Sequence, residues 1–380
     1  MAGLSLTLTG AEILTPAGIK PAMLHFQDGV VVTEEQPKKL HLPGMRILPG
    51  LVDLHGDGFE RHLAPRRGMV TDMVAALMAL DIELASNGIT TAVLAQFWSW
   101  EGGMRAPQFA QELADALRRA RPFLRTDMRL QLRVEIGLLT DPAPVLDLID
   151  KHQVGYVVFN DHLPRKHLTE GRKPPRLTGQ ALKSRRSPEE HLALLSELHE
   201  KTRDPWGLVE DFARQLALKG VLMGSHDDPS PEIRAKYRTL GVHIAEFPMT
   251  EATALAAKEA GDPVILGAPN LVRGGSHNKN LDAKRAIDQG LCSALVSDYH
   301  YPALYQSAQK LSEHLRCDIA AAWGLVSHGA AQILGLADRG WLEIGKQADF
   351  IVTNQTGRIF ASFVAGRPSF VASELVDSFL

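Results

Sequence analysis

Apolar residues at both ends of the chain fall in short runs of the kind that form β-strands. Near the N-terminus, Ser5–Thr9 alternates apolar and polar positions, and Ala22–Phe26 is largely apolar. Near the C-terminus, Asp349–Val352 and Ile359–Val364 have the same texture. A period of two residues is typical of strands with one buried face. We therefore expect residues 1–46 and 343–380 to pair into one small β-sandwich domain built from both chain ends.

The middle of the chain alternates between apolar runs that predict strands and longer runs with helical periodicity. The strand-like runs are Leu51–His55, Thr90–Gln96, Leu130–Ile136, Tyr156–Asp161, Gly220–His226, Val242–Phe247, Val264–Gly267 and Ala294–Asp298. Eight strands separated by helices predict an α/β fold of the (β/α)8 TIM-like barrel type over residues 47–342. A doubly wound open sheet is the alternative, and it is weaker because no GxGxxG motif follows the first strand.

Apolar residues at helical spacing predict the helices that separate these strands. The predicted helices cover Met73–Asn87, Phe109–Ala120, Ser187–Lys201, Trp206–Lys219 and Ile319–Leu334. Gly88 and Gly335 follow two of them, as is typical of helix C-terminal ends. The polar segment Leu163–Pro188 contains prolines, and we expect it to be an unusually long loop of a kind that is often functional.

Length and charge narrow the class of protein. The chain has 380 residues and a net charge of −3, which gives no electrostatic reason to expect a nucleic acid or a membrane as partner. The two cysteines, Cys292 and Cys317, belong to no CxxC motif and suggest no disulfide framework. The N-terminal residues lack the pattern of a signal peptide, so we expect a cytoplasmic protein. Base rates alone favour a homodimer if the chain self-associates.

Residues that can bind a metal stand at the ends of five predicted strands. His55 and Asp57 are spaced i and i+2 at the end of the first strand, so both would point to one face. The complete set is His55, Asp57, Glu135, His162, His226 and Asp298. The C-terminal ends of barrel strands converge on one active site, so we expect these side chains to form a metal site. A solvated turn residue is the simpler interpretation of any one of them alone.

This set of ligands indicates which metal and which chemistry to expect. Imidazole and carboxylate groups together suit Zn²⁺, Mn²⁺ or Fe²⁺ better than Ca²⁺ or Mg²⁺. Six ligands exceed the needs of one tetrahedral ion, so we expect two divalent metal ions with Glu135 between them. Metal-bound water becomes hydroxide near neutral pH, and Asp298 is the expected catalytic residue that orients it and takes its proton.

A second cluster of polar residues follows the seventh strand. The run Gly267–Asn280 includes the donors Arg273, Gly274, Gly275, Ser276, His277, Asn278 and Lys279. Consecutive N–H groups in a glycine-rich loop can surround an anion, and arginine can bind phosphate oxygens through two hydrogen bonds. We expect this loop to bind a phosphorylated small molecule, with Arg61 and Arg66 at the mouth of the site and His167 in a lid. A flexible surface loop is the alternative.

Two motifs at the borders of the predicted barrel resemble the amidohydrolase superfamily. They are LPGLVDLH at Leu48–His55 and GKQADFIV at Gly345–Val352. Narrower motifs inside the barrel resemble the PhnM family of the carbon–phosphorus lyase pathway. These motifs are HGD at 55–57, SHDD at 225–228, AEFP at 245–248, GAPNLVRGGSH at 267–277 and SDY at 297–299. The resemblance runs from residue 47 to residue 352, nearly the whole chain.

The resemblance implies a metal-dependent phosphohydrolase of phosphonate catabolism. Members of the PhnM family hydrolyse α-D-ribose 1-methylphosphonate 5-triphosphate to the 5-phosphate and diphosphate, which implies attack of metal-bound hydroxide on the α-phosphorus. The chain departs from the superfamily pattern in three ways. Asp57 replaces the second histidine of HxH, Glu135 stands in for the usual carboxylated lysine, and Glu135 and His162 fall one strand early.

Two other functions remain open at this point. A superfamily hydrolase that cleaves a C–N bond, such as a deacetylase or deaminase, would share the metal ligands but would not need the donors around Arg273. A non-catalytic phosphonate-binding component would not need Asp298 to activate water. In such a component, Asp298→Asn would leave the ligand affinity largely intact, whereas an enzyme would lose most of its kcat.

Overall fold

Strands and helices alternate through the centre of the chain, and short strands occupy both ends. The computed structural model describes residues 4–66, 69–275, 281–313, 315 and 317–379. In these residues the strands are β1 (Leu6–Thr9), β2 (Glu12–Thr15), β3 (Gly18–Pro21), β4 (Leu24–Gln27), β5 (Val30–Val32), β6 (Lys39–His41), β7 (Met45–Pro49), β8 (Leu51–Gly56), β9 (Ile89–Trp98), β10 (Asp127–Glu135), β11 (Tyr156–Asn160), β12 (Leu222–His226), β13 (Ile244–Glu246), β14 (Val264–Gly267), β15 (Ala294–Val296), β16 (Phe350–Asn354), β17 (Ile359–Val364) and β18 (Arg367–Val371).

Helices follow most of the central strands. They are α1 (Glu60–Leu63), α2 (Met73–Ser86), α3 (Pro107–Ala120), α4 (Ala143–His152), α5 (Arg165–Thr169), α6 (Leu177–Lys183), α7 (Pro188–Lys201), α8 (Trp206–Leu218), α9 (Pro231–Thr239), α10 (Glu251–Glu259), α11 (Ala268–Arg273), α12 (Ala283–Asp288), α13 (Pro302–Glu313), α14 (Ile319–Gly324), α15 (His328–Ile333) and α16 (Ser373–Phe379). Local chemistry fixes several of their ends. Asp72 caps α2 by accepting from the Ala75 N–H, and Gly88 follows that helix with a φ of 79°. Ser187 and Glu190 form a capping box at the start of α7.

Strands β8–β15 form one sheet in chain order. Their pairing is parallel, with Leu132 opposite Val157 and Leu266 opposite Leu295. The last strand returns to the first, where Asp298 forms a bridge to Gly56. The sheet is therefore a nearly closed eight-stranded barrel, and the predicted (β/α)8 architecture is confirmed.

Strands from the two chain ends form two further sheets, ordered β5-β4-β1-β6 and β18-β17-β16-β7-β2-β3. In the larger sheet β16 from the C-terminal end pairs with β7 from the N-terminal end, with Val352 opposite Ile47. Both sheets contribute to one core, in which the rings of Phe350 and Phe363 stack at 4.3 Å and that of Phe26 lies 5.7 Å from Phe350. The prediction that both ends build a small β-sandwich is confirmed.

The chain divides into two compact units. One comprises residues 1–94, 120–129 and 263–380, and the other comprises residues 95–119 and 130–262. The first contains both end sheets with β8, β14 and β15, and the second contains β11–β13 with α4–α10. The predicted domain limits at 46/47 and 342/343 stay a prediction. Within the described ranges, no helix has the length and apolar character needed to cross a membrane.

The predicted helix Ile319–Leu334 was wrong, because this segment forms two helices, α14 and α15. Between them the carbonyl groups of Leu325 and Val326 accept hydrogen bonds from N–H groups of β15 and β8, at 2.8 and 3.0 Å. Ser327 Oγ donates to the Gly50 carbonyl at 2.7 Å. The helix is interrupted because two barrel strands use backbone groups that a continuous helix would keep for itself.

The segment predicted as one long loop, Leu163–Pro188, contains the helices α5 and α6, so that prediction was also wrong. Leu163 and Leu177 pack in a small apolar cluster with Trp100 and with residues of α7. Arg186 Nη1 donates to the Trp100 carbonyl at 2.9 Å. These short helices depend on tertiary packing, since each is too short to show a helical period in the sequence.

Asp349, one residue before β16, is a buried carboxyl group. Burial raises the pKa of Asp349 to about 6, although the Ala365 N–H, 2.7 Å from its Oδ1, and the charge of Arg339 oppose the shift. In the unfolded chain the same group would titrate near its ordinary value of 3.8. The folded state binds the proton more tightly, so this group's contribution to stability falls as the pH rises between those two values.

We expect Asp349→Asn to reduce the loss of unfolding free energy that the wild type shows between about pH 5 and about pH 7, because the variant no longer loses a proton there. Urea unfolding at both pH values measures the difference. Asp338→Asn is the matched control, because hydrogen bonding from Arg339 lowers the pKa of Asp338. A wild-type pH dependence in Asp349→Asn would contradict the assignment.

Candidate metal centre and active site

The end of β8 carries two buried polar side chains on one face. Asp53 and His55 are two residues apart and both are fully buried. Asp53 Oδ1 accepts a hydrogen bond from the Ser297 N–H at 3.0 Å, and its Oδ2 accepts one from Ser297 Oγ. Burial raises the pKa of Asp53, and the two bonds from Ser297 oppose that shift. Asp53 therefore joins β8 to the residue that follows β15.

Backbone hydrogen bonds hold Asp57 and Asp298 beside each other. The Asp298 N–H donates to the His55 carbonyl at 3.0 Å, and the Asp298 carbonyl accepts from the Asp57 N–H at 2.8 Å. Asp298 has a φ of 54°, in the left-handed region that residues other than glycine rarely adopt. Backbone strain of this kind is concentrated at functional sites. The structure thus brings three sequence-predicted site residues to one strand end.

Gly56 lies between His55 and Asp57, and its surroundings have no room for a side chain. A Cβ at this position would lie 2.7 Å from Asp53 Oδ2, 2.7 Å from a ring carbon of Tyr301 and 2.9 Å from Ser297 Oγ. Real Cβ atoms do not approach other atoms so closely. The spacing of His55 and Asp57 therefore depends on the glycine between them.

Glu135, at the end of β10, is a fully buried carboxylate with three donors around it. Its Oε2 accepts from Trp100 Nε1 at 3.2 Å and from the His162 N–H at 3.0 Å, and its Oε1 lies 2.7 Å from His162 Nδ1. Burial alone would raise the pKa of Glu135, but the charge and hydrogen bonds of His162 lower it. Burial would likewise lower the pKa of His162, and Glu135 raises it. Each of the two groups therefore favours the charged form of the other.

His226, at the end of β12, contacts an arginine that the sequence-based set omits. Arg133 Nη2 lies 3.0 Å from His226 Nε2, and its guanidinium lies 3.9 Å from the ring centre of Phe97. On its other side, His226 Nδ1 lies 3.0 Å from Asp227 Oδ2. Arg133 precedes Glu135 by two residues on β10, and residues at this spacing on a strand point to the same face. The sequence therefore contained a signal that Arg133 and Glu135 lie on one side of the sheet.

Glu246, at the end of β13, is a second residue that the sequence-based set omits. It pairs in register with His226 on the neighbouring strand and is fully buried. Its Oε1 accepts from Gln131 Nε2 at 2.8 Å and from the Tyr156 hydroxyl at 2.5 Å. Burial and the charge of Glu246 raise the pKa of Tyr156, which keeps that hydroxyl protonated. The AEFP motif contains Glu246, but the sequence analysis ended this strand at Phe247. Glu246 was therefore not identified as a residue at a strand end.

One group of side chains has the composition of a metal site. His55, His226 and Glu246 offer ligand atoms that lie within 4.8 Å of one another. Two imidazoles and a carboxylate form a mixed nitrogen and oxygen donor set, which suits Zn²⁺, Mn²⁺ or Fe²⁺. The residues present therefore fit a divalent ion.

The predicted anion-binding run is in part a helix. Ala268–Arg273 forms α11, and Gly274 ends it in the left-handed conformation with a φ of 84°. Arg273 is exposed at the end of this helix, and its Nη2 donates to the Gly275 carbonyl at 2.9 Å. Four of the predicted donors, Ser276, His277, Asn278 and Lys279, lie outside the described residues.

The remaining predicted substrate-binding residues have different surroundings. Arg61 donates to the carboxylate of Glu83 and to the Tyr299 carbonyl, the latter at 3.1 Å. Arg66 is exposed beyond α1. His167 is half-buried on α5, in the segment that was expected to be a lid. Arg61 therefore forms a local ion pair, and the role of all three in substrate binding stays a prediction.

Comparison with known proteins identifies a relative that matches most of the chain. No protein-family model matches the sequence. The chain is 30% identical over 331 residues to the alpha-D-ribose 1-methylphosphonate 5-triphosphate diphosphatase of Escherichia coli (strain K12), and the match covers 84% of this chain and 86% of that protein. The chain belongs to the PhnM family.

Solved structures place this PhnM-family chain in the amidohydrolase fold. N-acetyl-D-glucosamine-6-phosphate deacetylase from Mycobacterium smegmatis superimposes with a TM-score of 0.62 at 16% identity, over 96% of this chain and 99% of that one. Beta-aspartyl dipeptidase from Fervidobacterium islandicum AW-1 superimposes with a TM-score of 0.62 at 15% identity, over 98% and 97%. At such low identity the likeness shows the fold and carries no activity across.

Glu135 ends the third strand of the barrel and His162 follows the fourth, so the strand positions predicted for both residues are correct. The difference from the superfamily pattern stays a prediction from the sequence.

We expect Gly56→Ala to destabilise the protein by about 1–3 kcal/mol, because the added methyl group would overlap Asp53, Tyr301 and Ser297. Chemical unfolding measures this change. Gly324→Ala, on α14, is the control, since a Cβ there meets no atom within 4 Å. Equal stability of the two variants would show that β8 shifts easily and that Gly56 does not fix the spacing of His55 and Asp57.

Proposed function

We propose that this chain is a metal-dependent diphosphatase of phosphonate catabolism that hydrolyses α-D-ribose 1-methylphosphonate 5-triphosphate to the 5-phosphate and diphosphate. The observation that carries the proposal is the 30% identity, along 86% of its length, to the Escherichia coli protein with that activity in its name. The buried imidazole and carboxylate groups at the strand ends of the barrel support a hydrolytic role.

His55, His226 and Glu246 are the proposed ligands of a divalent ion, and Asp57 and Asp298 complete the site from the end of the first and last barrel strands. Such an ion, when bound, lowers the pKa of a coordinated water to about 7 and withdraws charge from phosphoryl oxygens. We propose that the site binds one or two ions of zinc, manganese or iron.

The chain's own residues then supply orientation and proton transfer. The Asp298 carboxylate takes a proton from the water that attacks the α-phosphorus, in line with the departing diphosphate. Its left-handed backbone conformation and its backbone hydrogen bonds to His55 and Asp57 fix the main chain from which this carboxylate extends. Glu135 accepts a hydrogen bond from the His162 N–H and lies 2.7 Å from His162 Nδ1, and it orients that imidazole.

Arg273 is the proposed contact for the triphosphate. Arg273→Ala should raise KM for a triphosphate substrate by about tenfold to a hundredfold and lower kcat, because a charge-assisted contact to phosphate is removed. Steady-state kinetics measure both parameters. Arg214→Ala removes an exposed arginine that pairs with Asp211 on α8, and it should leave both parameters unchanged. Wild-type values in Arg273→Ala would remove this residue from the proposed substrate site.

Product analysis by ³¹P NMR tests the reaction itself. Metal-reconstituted protein should convert a ribose 5-triphosphate that carries a phosphonate at C1 into diphosphate and a 5-monophosphate, because water attacks the α-phosphorus. Nucleoside triphosphates serve as comparators, and chelator-treated protein is the control that should show no turnover.

Two other results of this NMR experiment would contradict the proposal. Release of single orthophosphate groups would mean that water attacks the γ-phosphorus. Absence of turnover with zinc, manganese and iron, together with hydrolysis of an N-acetylated sugar phosphate, would favour C–N bond cleavage. A cytoplasmic location and a homodimer are proposed on the sequence alone.

A further inference from the structure

Arg133 is a buried cation among the residues of the candidate metal centre. Its side chain is 5% exposed, and it precedes Glu135 by two residues on β10, so both side chains lie on the same face of the strand. Its guanidinium lies against the face of Phe97 at 3.9 Å. Arginine keeps its charge at any pH at which the protein is folded. A permanent positive charge therefore lies next to a proposed metal ligand.

The hydrogen bond between Arg133 and His226 has only one direction. A guanidinium donates and cannot accept, so His226 Nε2 is the acceptor at 3.0 Å from Arg133 Nη2. The proton of the neutral imidazole is then on Nδ1, which lies 3.0 Å from the carboxylate oxygen Oδ2 of Asp227. Arg133 thus occupies the lone pair of Nε2, an atom through which a histidine commonly binds a metal.

We propose that Arg133 and a divalent ion compete for His226 Nε2, and that the guanidinium released by the ion binds the phosphate oxygens of the substrate. This inference rests on the proposed function. A guanidinium and a divalent cation repel each other, so the two do not share one lone pair. The planar fork of arginine matches phosphate oxygens, and the Phe97 ring provides a surface along which the fork can turn.

Arg105 provides a matched comparison on the same ring. Its guanidinium lies 4.1 Å from the ring centre of Phe97, and its Nη1 donates to Glu101 Oε2 at 2.6 Å. The two arginines therefore differ in their hydrogen-bond partners: Arg105 donates to Glu101, and Arg133 donates to His226 Nε2. Removal of either charge changes the packing of Phe97, and removal of Arg133 also takes away its hydrogen bond to His226 Nε2.

Metal affinity is the decisive measurement. Metal-free wild type, Arg133→Gln and Arg105→Gln would be titrated with Mn²⁺ and with Zn²⁺ in competition with a chromophoric chelator. Arg133→Gln should bind the metal at least tenfold more tightly than wild type, and its KM for the triphosphate should rise at least tenfold. Arg105→Gln should bind metal within threefold of wild type. A merely structural role of Arg133 would instead weaken both metal and substrate binding.

Metal affinity of Arg133→Gln that is equal to or weaker than that of the wild type would overturn the inference, provided that circular dichroism shows a folded variant. If Arg133→Gln does not fold, Arg133→Lys is the variant that tests the inference. It keeps the positive charge but lacks the planar guanidinium that can form two hydrogen bonds with phosphate. It should bind metal within threefold of wild type and show the raised KM, and a loss of metal affinity there would also overturn the inference. The titrations use metal alone, so they remain decisive even if the triphosphate proves not to be the substrate.

Discussion

The cost of burying charged groups at strand ends constrains this structure more than any other interaction. An unpaired carboxylate in a protein interior costs several kcal/mol, so each buried one needs donors in fixed positions. Glu135 has Trp100 and His162, and Glu246 has Gln131 and Tyr156. These donors come from separate strands and loops. The polar groups that could bind a metal are therefore oriented by the barrel before any ion arrives.

The environment of Glu135 alters the role that its sequence position indicates. A carboxylate at the end of the third strand is a natural candidate for a bridge between two ions. In the structure both of its oxygens are already engaged by His162, and one of them also by Trp100. That geometry is typical of a carboxylate that orients a metal-binding histidine. It favours an orienting role for Glu135, and it reduces the number of carboxylates available for a second ion.

Much of this fold could be predicted because its local signals agree with its tertiary structure. The eight apolar runs are buried strands, and the polar residues at their ends follow from the convergence of parallel strands at one edge. The prediction of one helix over Ile319–Leu334 failed because N–H groups of β8 and β15 donate hydrogen bonds to carbonyl groups in the middle of the segment. That demand comes from residues far away in sequence, so no local pattern contains it.

The sequence-based prediction missed Glu246 and Arg133 for different reasons. Glu246 ends a strand of three residues, too short for alternation to reveal which residue is last. Arg133 had a clear signal, since Arg133 and Glu135 alternate on β10, but a charged residue within an apolar run is easily assigned to the solvent side. In the described residues its guanidinium lies against the ring of Phe97 and donates to His226. The proposed exchange of the His226 contact for phosphate oxygens would link the packing of β10 to the chemistry of an anionic substrate.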